Sequence, residues 1–336
     1  MRFTTRPVLA TSSFLVFSIS LAAGATKLYV TNSQGDNISV IDMKTFRLVR
    51  DIKVGTHVHG ICAPTRGDKI FSTIESDHTL KVIDAAGDEI VESIPLTGRP
   101  NQCASTPDGH YVGVPIRDGN SVDIVDTIEK KVVKVLPVSV PHNCYNANSN
   151  TDMFVSSMAD HEINEIDLSK MAYVAKIQVG GIPRPYAVSR DEQRMYVALT
   201  DLHGFAVVSI PEQKVIERVQ LPPAPPSACA LEPRTPTHGL ELTPNGKELW
   251  ITSLPDSGVY VYDLAGKKLS PEIRTGECPN WIAVSPDGRY IAVSNSASDD
   301  TSIIDAQSHR EIARVKVGKG PKRLLIVNVP ANERRW

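Results

Sequence analysis

From Lys27 onward the chain is written in short apolar runs of period-two alternation, separated by turn residues, which reads as a succession of β-strands. One stretch serves as the template. Asn101 to Ser105 forms a first strand, followed by the turn Pro107-Asp108-Gly109. His110 to Val114 forms a second strand, Ser121 to Asp126 a third, and Lys131 to Pro137 an outer, solvent-facing fourth. The same turn returns at Pro244-Asn245-Gly246 and Pro286-Asp287-Gly288, where Asp or Asn followed by Gly suits a tight hairpin. The third strand tends to end in a hydrophobic pair and an acid: Val-Ile-Asp42, Val-Ile-Asp84, Ile-Val-Asp126, Glu-Ile-Asp167, Val-Tyr-Asp263 and Ile-Ile-Asp305. These acids are expected to cap the turn into the outer strand.

A polar residue opens each first strand, usually after a proline. The series runs His59, Asn101, His142, Arg184, His238, Asn280 and Lys322, with spacings of 42, 41, 42, 54, 42 and 42 residues. The one long interval contains a proline-rich insertion at 221–237, expected to be a stiff surface loop or a lid. A fixed period near 42 predicts an all-β radial repeat with one four-stranded antiparallel blade per unit. Lys27 to Asn32 matches a second strand and Lys322 to Val327 a first strand, so the two ends must complete one blade together. The expectation is a seven-bladed β-propeller over 26–328, closed by its terminal strands and followed by a short tail, 329–336. Closure removes exposed sheet edges.

The motif Tyr29-Val-Thr-Asn32, the Pro-Asp-Gly turns and the Val-Ile-Asp strand endings resemble the YVTN family of seven-bladed β-propellers. The resemblance spans essentially the whole chain after residue 25. It implies the fold and little about activity, because that family mixes surface-layer proteins, binding proteins, and relatives of lactonases, lyases and oxidoreductases. The Gly-His and Trp-Asp dipeptides of WD40 repeats are missing.

The first 25 residues break the pattern. Arg2 and Arg6 precede an apolar run from Phe14 to Ala23, and Ala23-Gly24-Ala25 offers a small-residue cleavage site. This predicts a secretory signal peptide and a periplasmic or secreted protein with no membrane span once it is removed. A formal net charge of −2 without a basic stripe argues against a nucleic-acid partner. Of the cysteines, Cys62, Cys103 and Cys144 fall inside first strands, where a small buried hydrophobe is expected. Cys229, in the insertion, and Cys278, before Asn280, could form a disulfide, but spacing leaves the connectivity open.

In a propeller the first residues of the innermost strands meet at one mouth of the central channel. His59, His142 and His238 would there offer three imidazoles to a divalent transition metal such as Zn or Cu. His57, two residues before His59, would share its side on an extended strand and could add a ligand or move a proton. Asn101 and Asn280 could orient a ligand, while Arg184, Lys322 and Arg323 supply positive charge suited to an organic carboxylate. Acid–base candidates in the loops above are Glu75, foremost, then Asp77, His78, Asp118, Asp160 and His203. Asp160-His161 sits at the repeat position of Asp77-His78, and Asp201 lies close to His203; turn preference accounts for most of them. No Cys-x-x-Cys-His, Gly-rich phosphate loop or Gly-x-Ser-x-Gly elbow is present. Three functions follow: a monomer binding a small, anionic molecule at the channel mouth, a metal-dependent lactonase or lyase using the same residues, or a cell-surface scaffold using the rim.

Overall fold

A computed structural model of the chain describes residues 24–224, 229 and 235–331. The expected signal peptide except Gly24 and Ala25, most of the insertion and most of the tail lie outside the described residues. What is described forms seven antiparallel sheets, each stepping outward from an innermost strand. In the closing blade Pro321–Val329 is innermost, followed by Ala25–Asn32, Asn37–Asp42 and Arg47–Lys53. The terminal strands pair antiparallel, Tyr29 opposite Leu325. The chain ends therefore join one blade, as the repeat register predicts.

The other innermost strands are Val58–Cys62, Ala104–Ser105, Pro141–Asn146, Pro183–Val188, Thr237–Leu242 and Pro279–Val284. Outer strands are amphipathic ribbons, such as Lys131–Pro137 with only Leu136 fully buried. The middle strands are buried on both faces, because neighbouring blades pack against each side. Phe71, Val112 and Val114, for example, share a core between adjacent blades.

The acids ending third strands cap turns, as expected. Asp42 accepts the Lys44 and Thr45 N–H groups at 3.0 and 2.7 Å, and Asp126 those of Ile128 and Glu129 at 2.9 and 2.8 Å. Asp84, Asp167, Asp263 and Asp305 do the same in their own turns.

A bulge recurs where the innermost strand enters the channel. Register slips between Val58 and Ile61, Pro141 and Cys144, Pro183 and Tyr186, Thr237 and Leu240, and Pro279 and Trp281. The N–H stranded by each slip is taken up by a hydroxyl on the second strand. Gly60 N–H donates to Thr73 at 2.7 Å, Asn143 N–H to Ser156 at 2.9 Å, and Gly239 N–H to Thr252 at 2.7 Å. Trp281 N–H donates to Ser294 at 3.0 Å, and Arg323 N–H to Thr31, the threonine of the Tyr-Val-Thr-Asn motif, at 3.0 Å.

Two blades depart from this rule, each for a visible reason. Pro185 has no N–H to satisfy, and its second strand carries Ala198 where the others carry a hydroxyl. In the template repeat Pro115 replaces the hydroxyl, and the innermost strand shrinks to Ala104–Ser105, with Pro100 held by an isolated bridge to Ile116. The first strand expected from Asn101 is therefore shorter, and the second runs Tyr111–Ile116.

Several hydroxyls also reach the next blade. Thr31 donates to the His59 carbonyl at 3.2 Å, and Ser294 to the Lys322 carbonyl at 2.7 Å. Gly60 is required here, because a Cβ would lie 2.7 Å from Gln102 Cα and 2.8 Å from the Asn101 carbonyl oxygen.

The cysteines differ from expectation. Cys62 and Cys103 are not separate buried hydrophobes but a disulfide linking neighbouring inner strands, with Cα atoms 5.8 Å apart. Cys229 pairs with Cys278, fixing the insertion beside the turn that precedes Asn280. Cys144 is free and buried. Two disulfides fit an oxidising compartment. No helix among the described residues is long and apolar enough to cross a membrane.

Thr73→Val removes the acceptor of the buried Gly60 N–H and should strand it. Urea unfolding should show a loss of about 1–3 kcal/mol. A change within about 0.5 kcal/mol would show that the hydroxyl is not the partner that matters.

Candidate functional site at the channel mouth

Where a bulge occurs, two consecutive residues of the innermost strand can face the channel instead of one, as at Lys322-Arg323 and His142-Asn143. His59, His142 and His238 gather there with Arg184, Lys322 and Arg323. The His142 and His238 rings lie 6.2 Å apart, centroid to centroid, and nearly perpendicular. His238 also meets the Trp281 ring edgewise at 5.7 Å, and Trp281 carries the Arg323 guanidinium on its face at 3.7 Å. The charge of Arg323 is felt by all three imidazoles.

The three histidines share one arrangement. The Nδ1 of His238 lies 2.8 Å from the Asn280 backbone carbonyl, which can only accept, so Nδ1 carries the proton. His142 Nδ1 faces the Asn143 amide oxygen, whose nitrogen in turn donates to Gln102. His59 Nδ1 faces a carboxylate oxygen of Glu75. In each ring Nε2 is left as the lone-pair nitrogen. Burial pushes all three imidazoles well below their ordinary range, and nearby cations add to this: Lys322 for His59, Arg184 for His142 and Arg323 for His238. All three are therefore neutral at physiological pH.

Glu75 is the carboxylate of the site. It is 9% exposed and reaches back from the loop after its strand. Arg99 grips it from the neighbouring blade, with Nε at 2.7 Å and Nη2 at 2.5 Å from Oε2, and Arg117 adds a contact at 3.8 Å. Burial works to raise its pKa, but the hydrogen bonds from His59 and Arg99 and the Arg99 charge prevail and hold it at about 2. Asp118 accepts the Arg99 backbone N–H at 2.8 Å and so fixes the loop that presents Arg99. Burial, with Arg323 beside it, pushes the Lys322 ammonium down to about 7.

Of the other residues singled out in the sequence, Asn101 and Asn280 are buried, each with an amide oxygen that has no hydrogen-bond partner among the described residues. His57 does not join His59. The strand starts at Val58, and His57 lies in the turn before it, exposed, at a φ of 57° that turns it away from strand geometry. Asp77, Asp160 and His203 serve local contacts: Asp77 with Thr79 and Lys81, Asp160 with Ser157, and His203 with Ser253. His78 and His161 occupy left-handed turn positions, at φ of 52° and 56°. Arg99, Arg117, Gln102, Asn143 and Trp281 were not singled out by sequence. Arg99 and Arg117 flank a blade entrance, and the other three follow ring residues by one position, where strict alternation turns a side chain away from the channel.

No group of three or more His, Cys, Asp or Glu side chains is arranged to hold a metal ion among the described residues. Among the described residues the site is a cluster of cations and neutral imidazoles around the paired carboxylate of Glu75. Such a site can neutralise an anion, and the Nε2 of His59, without a hydrogen-bond partner among the described residues, can accept a proton.

Fold and site together define a seven-bladed β-propeller with a cationic channel mouth. No family model matches the chain. Antigen Lp49 of Leptospira interrogans is 26% identical over 149 residues, covering 42% of this chain and 30% of that protein. Protein NirF of Stutzerimonas stutzeri is 23% identical over 269 residues, covering 73% of this chain and 66% of that protein. The chain thus spans less than two thirds of either relative's length. Among solved structures, hydrazine synthase of Kuenenia stuttgartiensis aligns with a TM-score of 0.68 at 17% identity, over 81% of this chain and 95% of the other. The dihydro-heme d1 dehydrogenase NirN, in complex with DHE, aligns at 0.64 with 14% identity, over 89% and 74%. At these identities the structural likeness is one of fold.

The buried neutral imidazoles give a pH dependence of known sign. Their folded pKa values lie below the unfolded value near 6.5, so the unfolded chain takes up protons that the folded one refuses. The imidazole contribution to stability is full above about pH 6.5 and falls as the pH drops, by about 1.4 kcal/mol per pH unit for each imidazole. Urea unfolding between pH 7.5 and 5.5 should show this, and His238→Gln should flatten the slope by about one proton. An unchanged slope in the variant would mean that His238 titrates normally.

Proposed function

We propose that this chain is an exported, monomeric propeller of the YVTN kind that binds a small organic anion at the mouth of its channel. The observation that carries the reading is electrostatic. Arg99, Arg117, Arg184, Lys322 and Arg323 converge on a site whose carboxylate, Glu75, is already claimed by Arg99 and His59. The excess positive charge favours an incoming carboxylate, and Asn101 and Asn280 offer further polar contacts to orient it. NirN, which shares the fold, is a dehydrogenase of dihydro-heme d1, and this suggests haem-derived carboxylates as one ligand class to try here. The motif resemblance, the leader-like N-terminus and the two disulfides support a periplasmic or extracellular setting.

A second reading keeps the channel as a metal-dependent lactonase or lyase centre, with Zn or Cu held by His59, His142 and His238 and with Glu75 moving a proton. The shared Nδ1–H tautomer favours it, since that arrangement presents Nε2 to a metal. Against it, the Arg184 guanidinium sits 3.4 Å from His142 Nε2, and Lys322 and Arg323 would repel a divalent cation. The anion reading is therefore preferred.

Calorimetry against a panel of carboxylates, haemin included, together with the metal content of untagged protein, separates the two. The proposal expects saturable binding of at least one carboxylate, weakened ~10-fold or more in the Arg184→Ala, Lys322→Ala double variant. Stoichiometric Zn or Cu that is lost in His142→Ala, His238→Ala would replace it with the metal enzyme. Binding of neither would move the function to the propeller's rim.

A further inference from the structure

Arg323 is the most unusual residue of the channel. It is 1% exposed, and its Nε, Nη1 and Nη2 have no hydrogen-bond partner among the described residues. A guanidinium carries five N–H donors and keeps its charge, so burying it without acceptors is among the costliest things a fold can do. The chain nevertheless holds it firmly. Its backbone N–H is fixed on Thr31 Oγ1 at 3.0 Å, and one face of its guanidinium lies on the Trp281 ring at 3.7 Å. Stacking covers a face and leaves the edges, which carry the N–H groups, available in plane. Its surroundings offer it little else. Arg184 and Arg117 oppose its charge, and Tyr145 is the group nearby that favours it.

We infer that Arg323 is the anchor for the ligand's carboxylate, which enters past the ring of polar residues and is held by the guanidinium edge against the Trp281 platform. The inference rests on the anion-binding reading above and adds to it the ligand's class: a carboxylic acid with an end slender enough to enter the bore. The fork of a guanidinium matches a carboxylate in two parallel hydrogen bonds, which an ammonium such as Lys322 cannot reproduce. Lys322 and Arg184 then serve to attract and guide the anion, and Arg323 to bind it.

The contact between Arg323 and Trp281 supplies the readout. Acetate and succinate, titrated at constant ionic strength, should change the tryptophan fluorescence of the wild-type protein saturably and raise its melting temperature. Arg323→Met should bind the same acids ~10- to 100-fold more weakly, and Lys322→Met only a few-fold more weakly. In carboxylate-free buffer Arg323→Met should melt no lower than wild type, because it removes an unpaired buried charge. Trp281→Phe should lose most of the optical change while calorimetry still detects binding. Should Arg323→Met not fold, Arg323→Lys keeps the charge without the fork and is expected to lose most of the affinity. Wild-type affinity in Arg323→Met or Arg323→Lys would overturn the anchor and leave the anion-binding reading standing. Failure of the wild-type protein to bind any carboxylate would remove both.

Discussion

The hydroxyl-capped bulge at the head of five of the seven innermost strands is the interaction on which the site depends. A regular strand offers the channel every second side chain. A one-residue slip, tolerated because a Ser or Thr on the adjacent strand takes up the stranded N–H, turns two consecutive residues toward the bore. The same hydroxyls can donate onward to the next blade's carbonyl, as Thr31 does to His59 and Ser294 to Lys322. Ring residues are thus set by the backbone of two blades at once. This is a stiffer mounting than a loop provides.

That mounting explains how the chain tolerates such concentrated charge. Histidines fixed through Nδ1 to an oxygen cannot easily take a second proton in a buried, cationic setting, so they stay neutral. Glu75, fixed by Arg99 across the blade boundary, offsets one cation and orients His59. The remaining positive charge is poised for something from outside. A protein selected only for stability would not place an unpaired guanidinium in its channel, and this is why the site reads as a receptor.

Much of the architecture was legible because a propeller repeats its hydrophobic pattern once per blade. Seven polar positions at a near-constant interval gave the blade number and the closure by both termini. Four things escaped for identifiable reasons. His57 was placed by strand periodicity, but the strand begins one residue later and His57 belongs to a turn. Trp281 and Asn143 were passed over because alternation points them away, and only the bulge reverses this; Gln102 precedes the shortened strand Ala104–Ser105, where alternation does not apply. The Cys62–Cys103 bridge was missed although the two residues lie one blade apart, where the repeat itself puts their strands side by side. Arg99 was invisible for a deeper reason: its partner Glu75 lies on another blade, and no local spacing encodes that contact.

The central claim is that bulged inner strands assemble one anion-binding site at one end of the channel. Crystals soaked with 4-bromobenzoate, whose aryl bromide does not alkylate imidazoles, and measured at the bromine absorption edge test it most directly. The account predicts an anomalous peak inside the ring of His59, His142 and His238, with the carboxylate directed at Arg323. Bromine found only on the outer surface, with the channel mouth unchanged, would contradict it.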